Sequence, residues 1–177
     1  MRKGRTVTLT PNPALDLWTT TAHVQAGPKL RCSPLRKDPG GGGINVSRVI
    51  SRLGGDTLAL FLSGGDTGTA LMDALRMEGV AAIAARSSAS TRQSFSVRDE
   101  LNGAVYRFVL PGEPISHEEH DALLRLLPDA AASAELVVGS GSLPPGAGSD
   151  FWAEAARISR EAGAKSVLDS GQGVPEA

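Results

Sequence analysis

The chain has one cysteine, no excess of either charge, few histidines and no long apolar run. Cys32 is the single cysteine among 177 residues, so no internal disulfide can form. A reducing, cytoplasmic setting is expected, with Cys32 in a structural role. Lys and Arg number 18 against 19 Asp and Glu, a net charge of −1, so no broad field draws in nucleic acid or anionic membrane, although a local basic site can exist. No apolar stretch approaches the roughly eighteen residues of a membrane span. The basic start, Met1-Arg2-Lys3-Gly4-Arg5, leads into a Thr-rich strand and not an apolar core, so a secretory signal is not expected. His23, His117 and His120 have no cysteine or carboxylate spacing suited to metal and read as surface residues. Tandem repeats, low-complexity stretches and a long Gly/Ser linker are also missing. These absences exclude a secreted disulfide scaffold, a membrane protein and a disordered tail.

What remains is an ordinary globular composition, 41% apolar and 21% charged, on a chain long enough to bury roughly two-thirds of its unfolded surface. Length favours one domain, or one and a part. Glycine is in excess, 21 residues, and it is clustered: Gly40 to Gly43, Gly54-Gly55, Gly64-Gly65 and Gly139-Ser-Gly141. Glycine at the ends of apolar runs marks backbone that approaches something closely or takes positive φ.

Strand and helix signals alternate along the chain. Thr6–Thr10 is β-branched and alternating, and ends at Pro11-Asn12-Pro13; Leu15–Thr21 is a second extended piece. Residues 29–39 are polar and proline-broken, and read as exposed or edge strands. Ile44–Leu53 places Val46, Val49, Ile50 and Leu53 at helical spacing, with Arg48 and Arg52 opposite. Thr57–Leu62 is apolar enough to be buried on both faces, and Thr67–Glu78 predicts a helix closed by Gly79, followed by a strand over Val80–Ala85. Ser94–Val97 and Val105–Leu110 flank the turn-prone Glu100-Leu-Asn-Gly103 as a hairpin. A helix from about Ser116 opens on a Ser-His-Glu-Glu box. Leu136–Gly139 (strand), Asp150–Ala162 (helix) and Ser166–Asp169 (strand) complete the pattern. The alternation predicts an α/β fold, a parallel sheet with helices on both faces. The polar insertions, at about 15–39 and 92–110, are expected to pair into a small β-sheet lid. The chain stops at Gly171-Gln-Gly-Val-Pro-Glu-Ala177 with no helix to cover the last strand, so the C-terminal part of the fold is expected to be missing.

Pro39-Gly-Gly-Gly-Gly43-Ile-Asn45-Val before an amphipathic helix is the strongest chemical signal. Bare amides at a helix start can receive hydroxyl or anionic groups, and Asn45 adds a donor and an acceptor. Four glycines in a row exceed what close packing is expected to need. No Gly-Lys-Ser/Thr follows, so this is not a Walker loop, and Val46 occupies the place of the third glycine of a dinucleotide fingerprint. Asp16, just past the first strand, lies where open α/β sheets bind ligands and can hold two sugar hydroxyls, or be a turn aspartate. Lys29, Arg31, Arg92 and Arg107 lie on the lid segments and suit phosphate, or are solvated edge charges. Ser140-Gly-Ser142-Leu-Pro-Pro145 follows an apolar strand as a ligand edge or a plain turn. Asp169 ends the last strand, near a metal-bound nucleotide or as a cap.

Taken in order, Thr8-Leu-Thr-Pro-Asn-Pro-Ala-Leu-Asp16, Gly27-Pro-Lys-Leu-Arg-Cys32, Pro39-Gly-Gly-Gly-Gly-Ile-Asn-Val46, Thr91-Arg-Gln93, Tyr106-Arg-Phe-Val109, Gly139-Ser-Gly-Ser-Leu-Pro-Pro-Gly146 and Leu168-Asp-Ser170 resemble the PfkB family of ribokinase-type sugar kinases. The Lys-Leu-Arg-Cys and Gly-Gly-Gly-Gly-Ile-Asn pairing resembles the 6-phosphofructokinase branch, with 1-phosphofructokinase and tagatose-6-phosphate kinase as alternatives. The resemblance implies a ribokinase-like fold, a homodimer through the lid sheets, and phosphoryl transfer from ATP with Mg2+. On matching positions it implies that Asp16, Gly41, Gly42 and Asn45 hold sugar hydroxyls. Arg31 and Arg92 would bind the existing phosphate, Ser142 the sugar, Lys29 the ATP phosphates, and Asp169 would lie near the metal–nucleotide site. The family's base is the aspartate of a Gly-Ala-Gly-Asp motif, which these 177 residues lack. The chain thus resembles the N-terminal half of such a kinase, and a non-catalytic fragment that dimerises or binds sugar phosphate is the other expectation.

Overall fold

The computed structural model describes residues 4–171; the basic start at 1–3 and the last residues, 172–177, on which the expectation of an uncovered last strand rests, lie outside the described residues. Nine strands and five helices follow in the order β1 (Arg5–Thr10), β2 (Ala14–Thr21), β3 (Arg36–Gly40), α1 (Gly42–Arg52), β4 (Thr57–Ser63), α2 (Gly65–Met77), β5 (Ala82–Arg86), β6 (Arg92–Asp99), β7 (Val105–Val109), α3 (His117–Leu124), α4 (Leu127–Ala132), β8 (Ala134–Ser140), α5 (Phe151–Glu161) and β9 (Lys165–Asp169) among the described residues. Five strands form a parallel sheet in the order β5-β4-β1-β8-β9, and four form a mixed sheet in the order β3-β2-β6-β7. The α/β expectation therefore holds, and the two polar insertions do pair into one small sheet: β2 joins β6 in parallel, while β6 and β7 form the hairpin.

Side-chain alternation along the central strands sorts two cores onto the two faces of the parallel sheet. Val7, Leu9, Leu60, Leu62 and Val137 pack against Leu123, Leu127, Phe151 and Trp152 of α3, α4 and α5. Phe151 and Trp152 meet edge-on at 5.1 Å. Ala59 and Phe61 pack on the other face with Ile44 of α1 and Leu71 and Leu75 of α2. Each such fully buried aliphatic or Phe side chain contributes roughly 1.5–3 kcal/mol.

The buried face of α1 differs from the one its apolar spacing predicts. Gly43, Ile44 and Ser47 face the sheet, while Val49 and Leu53 are 53% and 75% exposed. Ser47 sits in the core because its hydroxyl bonds Thr8 and Thr57, each at 2.8 Å, so a chain of three hydroxyls satisfies itself between strand and helix. Other departures have local causes. The fifth strand starts at Ala82, because the Val80 N–H closes α2 on the Leu75 carbonyl and its side chain enters the core. The helix after Ser116 divides in two, with Pro128 entering the first turn of α4. Within 29–39 only Arg36–Gly40 becomes a strand; Cys32 makes an isolated bridge to Thr21, and its side chain is exposed and not built into a core. His120 is not a surface residue: it is 6% exposed, against the Phe151 ring at 5.1 Å. The Ser116–Glu119 capping box forms. Its Glu119 carboxyl, bonded by the Ser116 and Ser88 N–H groups, is held down at about 2.

Candidate active site

The chain leaves β1 toward β4 and leaves β8 toward β9, on opposite sides. Their loops part at the C-terminal ends of β1 and β8, the switch point where open parallel sheets form a crevice that receives ligands. Asn12 and Ser142 line it from the two sides and meet there, the Asn12 Nδ2 donating to Ser142 Oγ at 3.1 Å.

The glycine turn comes into this crevice from β3. Gly41, the residue before α1, has φ 120°, a left-handed value that favours glycine. A Cβ on Gly42 would stand 2.7 Å from the Ser140 carbonyl carbon and 2.8 Å from the Gly141 nitrogen, both backbone. Gly40 fits the Asp16 carboxylate in the same way, and Gly43 fits Thr10 and the Leu9 carbonyl. Backbone packing thus accounts for Gly42 and Gly43 and the left-handed φ for Gly41, while Gly40 meets only the Asp16 side chain. The close approach also leaves the start of α1 bare. No side chain caps it and its first turn holds no acid, so its first N–H groups face the crevice without a side-chain acceptor.

Charge arrives from the small sheet. Cross-strand pairing aligns Asp38, Asp16 and Ser94 in one row, and places Arg92 beside Ala14. Burial pushes the Asp16 carboxyl up from its usual range, opposed by Arg92, the Ser94 hydroxyl and Arg48. Arg92 is half-buried, and the same desolvation pulls its guanidinium down, with Asp16 opposing. Its bonds go to the Asn12 carbonyl at 3.3 and 3.4 Å and the Leu110 carbonyl at 3.3 Å. It has no salt-bridge partner among the described residues. A half-dehydrated cation held only by carbonyls is poised for an anion.

Gly41, Gly42, Asn45, Ser142 and Asp169 lie at this C-terminal edge of the parallel sheet, and Asp16 and Arg92 near the first residues of β2 and β6. Asp169 is tied to the edge by Ser140, whose hydroxyl donates to its Oδ2 at 3.1 Å. Lys29 and Arg31 stand apart. They are exposed on the 22–35 loop, which is pinned by Thr21 Oγ1 to the Arg31 carbonyl at 2.9 Å and by Asp99, bonded to His23 at 2.9 Å and the Val24 N–H at 3.0 Å. Arg107 lies further out, its guanidinium 5.6 Å from the Trp18 ring. Sequence reasoning missed two residues. Asn12, between two prolines at a strand end, joins Arg92 to Ser142. Arg48, read as a solvent-facing helix charge, is only 14% exposed and bonds Glu78, the Pro39 carbonyl and Asn45.

The pfkB family carbohydrate kinase pattern matches residues 14–173. The chain belongs to that family. The ATP-dependent 6-phosphofructokinase isozyme 2 of Mycobacterium tuberculosis is 46% identical over 171 residues, 97% of this chain and 50% of its own length. The tagatose-6-phosphate kinase of Staphylococcus epidermidis is 29% identical over 171 residues, 96% of this chain and 54% of that protein. Phosphofructokinase-2 of Escherichia coli, solved in complex with fructose-6-phosphate, superposes with a TM-score of 0.89 at 37% identity, over 94% of this chain and 55% of that one. The fold is therefore that of a pfkB kinase, seen in part: the chain spans about half the length of the curated relatives it matches.

The nucleotide side of a pfkB kinase fits less well. Besides Asp16 beside Arg92, the described residues offer one carboxylate at the edge, Asp169, with one oxygen already engaged by Ser140. Among them no group of three metal-ligating side chains gathers, and Lys29 lies on the separate loop. They do not by themselves assemble a site for ATP and Mg2+.

Proposed function

We propose that this chain is the N-terminal portion, residues 1–177, of a ribokinase-like kinase domain that phosphorylates a sugar phosphate, with fructose 6-phosphate converted to fructose 1,6-bisphosphate. The observation that carries this reading is Arg92, half-buried, bonded only to backbone carbonyls and set beside Asp16 at the switch-point crevice. An anion and a hydroxyl are then wanted side by side, which is what a phosphorylated sugar offers. In this reading Arg92 and Arg31 take the phosphate, while Asp16, Asn45, Ser142 and the Gly41–Gly42 backbone orient the hydroxyls. ATP with Mg2+ supplies the phosphoryl group, with Lys29 and Asp169 on that side. The small sheet acts as a lid over the site. The 6-phosphofructokinase relative at 46% identity favours fructose 6-phosphate over the tagatose 6-phosphate and 1-phosphofructokinase alternatives.

A homodimer through the lid is supported by β7, where all five residues are exposed, among them Tyr106, Phe108 and Val109. Apolar exposure of this kind on a strand marks an interaction surface. A cytoplasmic location is supported by the free cysteine and by helices too short and polar to cross a membrane among the described residues.

A second reading, a sugar-phosphate-binding or dimerising fragment without turnover, draws on the same groups, Arg92 beside Asp16 and the exposed β7. Coupled ADP release with fructose 6-phosphate, fructose 1-phosphate and tagatose 6-phosphate tests both, run on the whole protein and on the 177-residue chain. Turnover by the whole protein with fructose 6-phosphate preferred is expected. Binding without turnover in both would establish the second reading, and no binding of any of the three would overturn both.

A further inference from the structure

Arg48 stands on α1 one turn beyond Asn45, and its guanidinium turns back toward the glycine turn. Its Nε and NH2 groups donate to the two Glu78 carboxylate oxygens at 2.8 and 2.6 Å. Its NH1 donates to the Pro39 carbonyl at 2.8 Å and to Asn45 Oδ1 at 3.3 Å. One planar fork therefore joins the end of α2, the end of β3 and the first turn of α1. Glu78 holds it in place: each partner's bond to the other raises the Arg48 guanidinium and lowers the Glu78 carboxyl from their usual values.

A guanidinium only donates. The group of Asn45 that faces it is therefore the amide oxygen, and the Nδ2 hydrogens are turned away on an exposed side chain. Asp16, when ionised, only accepts. Among the groups at the edge Asp16 thus offers an acceptor and Asn45 a donor, and a hydroxyl that gives its proton to Asp16 and receives one from Asn45 satisfies both. With the amide reversed, Asn45 would offer a second acceptor beside Asp16, and one hydroxyl could not serve the two.

We infer that Arg48 is a positioning residue for sugar binding, acting through Asn45 by fixing its amide as a donor. The inference rests on the sugar-phosphate reading above. Arg48 itself touches no ligand in this arrangement; its effect passes through a single hydrogen bond.

The test is a thermodynamic cycle on the whole protein, with fructose 6-phosphate and MgATP titrated separately by calorimetry. Wild type, Arg48→Met, Asn45→Ala and the double variant are compared, with melting temperatures alongside. Arg48→Met is expected to weaken fructose 6-phosphate about tenfold while MgATP affinity stays within about twofold. In the Asn45→Ala background the same change is expected to add less than about twofold, because the intermediary is gone. Arg48→Lys, which can reach one partner but not hold the fork, is expected to recover part of the loss. Equal losses in both backgrounds, or no loss at all, overturn the inference. If Arg48→Met does not fold, Glu78→Gln replaces it in the same cycle and is read by the same criteria. A wild type that binds no sugar phosphate brings down the sugar-phosphate reading and this inference together; wild-type binding with additive losses overturns the inference alone.

Discussion

Two segments carry the residues expected at the site, one at its edge and one apart from it, and they are built in opposite ways. The Gly40–Gly43 turn is closed in behind its amides, each Cα against a strand end or a side chain. The 22–35 loop is open: its residues are mostly exposed, and three hydroxyl, carboxylate and backbone tethers at Thr19, Thr21 and Asp99 hold it. The first is a rigid template for neutral groups, since its amides cannot move without moving β1 and β8. The second carries Lys29 and Arg31 on an arm whose position is set by what it meets. Fixed dipoles discriminate geometry, whereas long cations on a loop supply charge with little discrimination.

The comparison can be broken most forcefully at Gly42. Gly42→Ala places a methyl group against the backbone of Ser140 and Gly141 and should cost about 3 kcal/mol, read as a lower urea midpoint. A change within about 0.5 kcal/mol would show that the turn has slack. Next is Arg92→Ala, which should weaken fructose 6-phosphate about 30-fold and unphosphorylated fructose far less, by calorimetry on the whole protein. Equal losses would remove the phosphate role. Asp99→Asn acts on the open loop's tether. It should speed hydrogen exchange across residues 22–35 and leave that of Gly40–Gly43 unchanged. Acid should do the same. The Val24 N–H, then His23 and the Leu101 N–H, hold the Asp99 carboxyl below its ordinary 3.8. Its stabilisation is thus full above that value and fades as pH falls below it. The smallest effect belongs to Lys29→Ala with Arg31→Ala. Both side chains are exposed, so stability should shift by no more than about 0.5 kcal/mol, while sugar-phosphate affinity falls if they close on a ligand.

What the sequence made legible was local. The apolar run at Thr57–Leu62, the Ser116 box with Glu119, and the alternation of strand and helix signals each depend on residues a few positions apart. The missing readings were long-range. Arg48 looked solvated because its partner Glu78 lies 30 residues on. Ser47 carries no local sign of burial because Thr8 and Thr57, which satisfy it, come from two different strands. With Ser47 accepted inward, Val49 and Leu53 had to turn out, and the predicted face rotated with them. His120 was misread for the same reason, since Phe151 reaches it from a helix far along the chain. At the site, the glycine cluster was visible but its cause was not, because the atoms it makes room for belong to β1, β2 and β8.

The parallel pairing of β2 with β6 sets a timetable for folding. Residue 14 pairs with residue 92, and everything from β3 to β5 lies between them. Closing so long a loop is slow compared with winding a helix or a hairpin. Asp16 therefore waits, through the formation of β3, α1, β4, α2 and β5, for the arginine that will share its crevice. A chain emerging from the ribosome carries residues 40–43 before Arg92 exists, and the Ser140 and Gly141 backbone that Gly42 packs against comes later still. The hairpin of β6 and β7 delivers the arginine to Asp16, and β8 and β9, later in the chain, bring the last of the edge, Ser142 and Asp169.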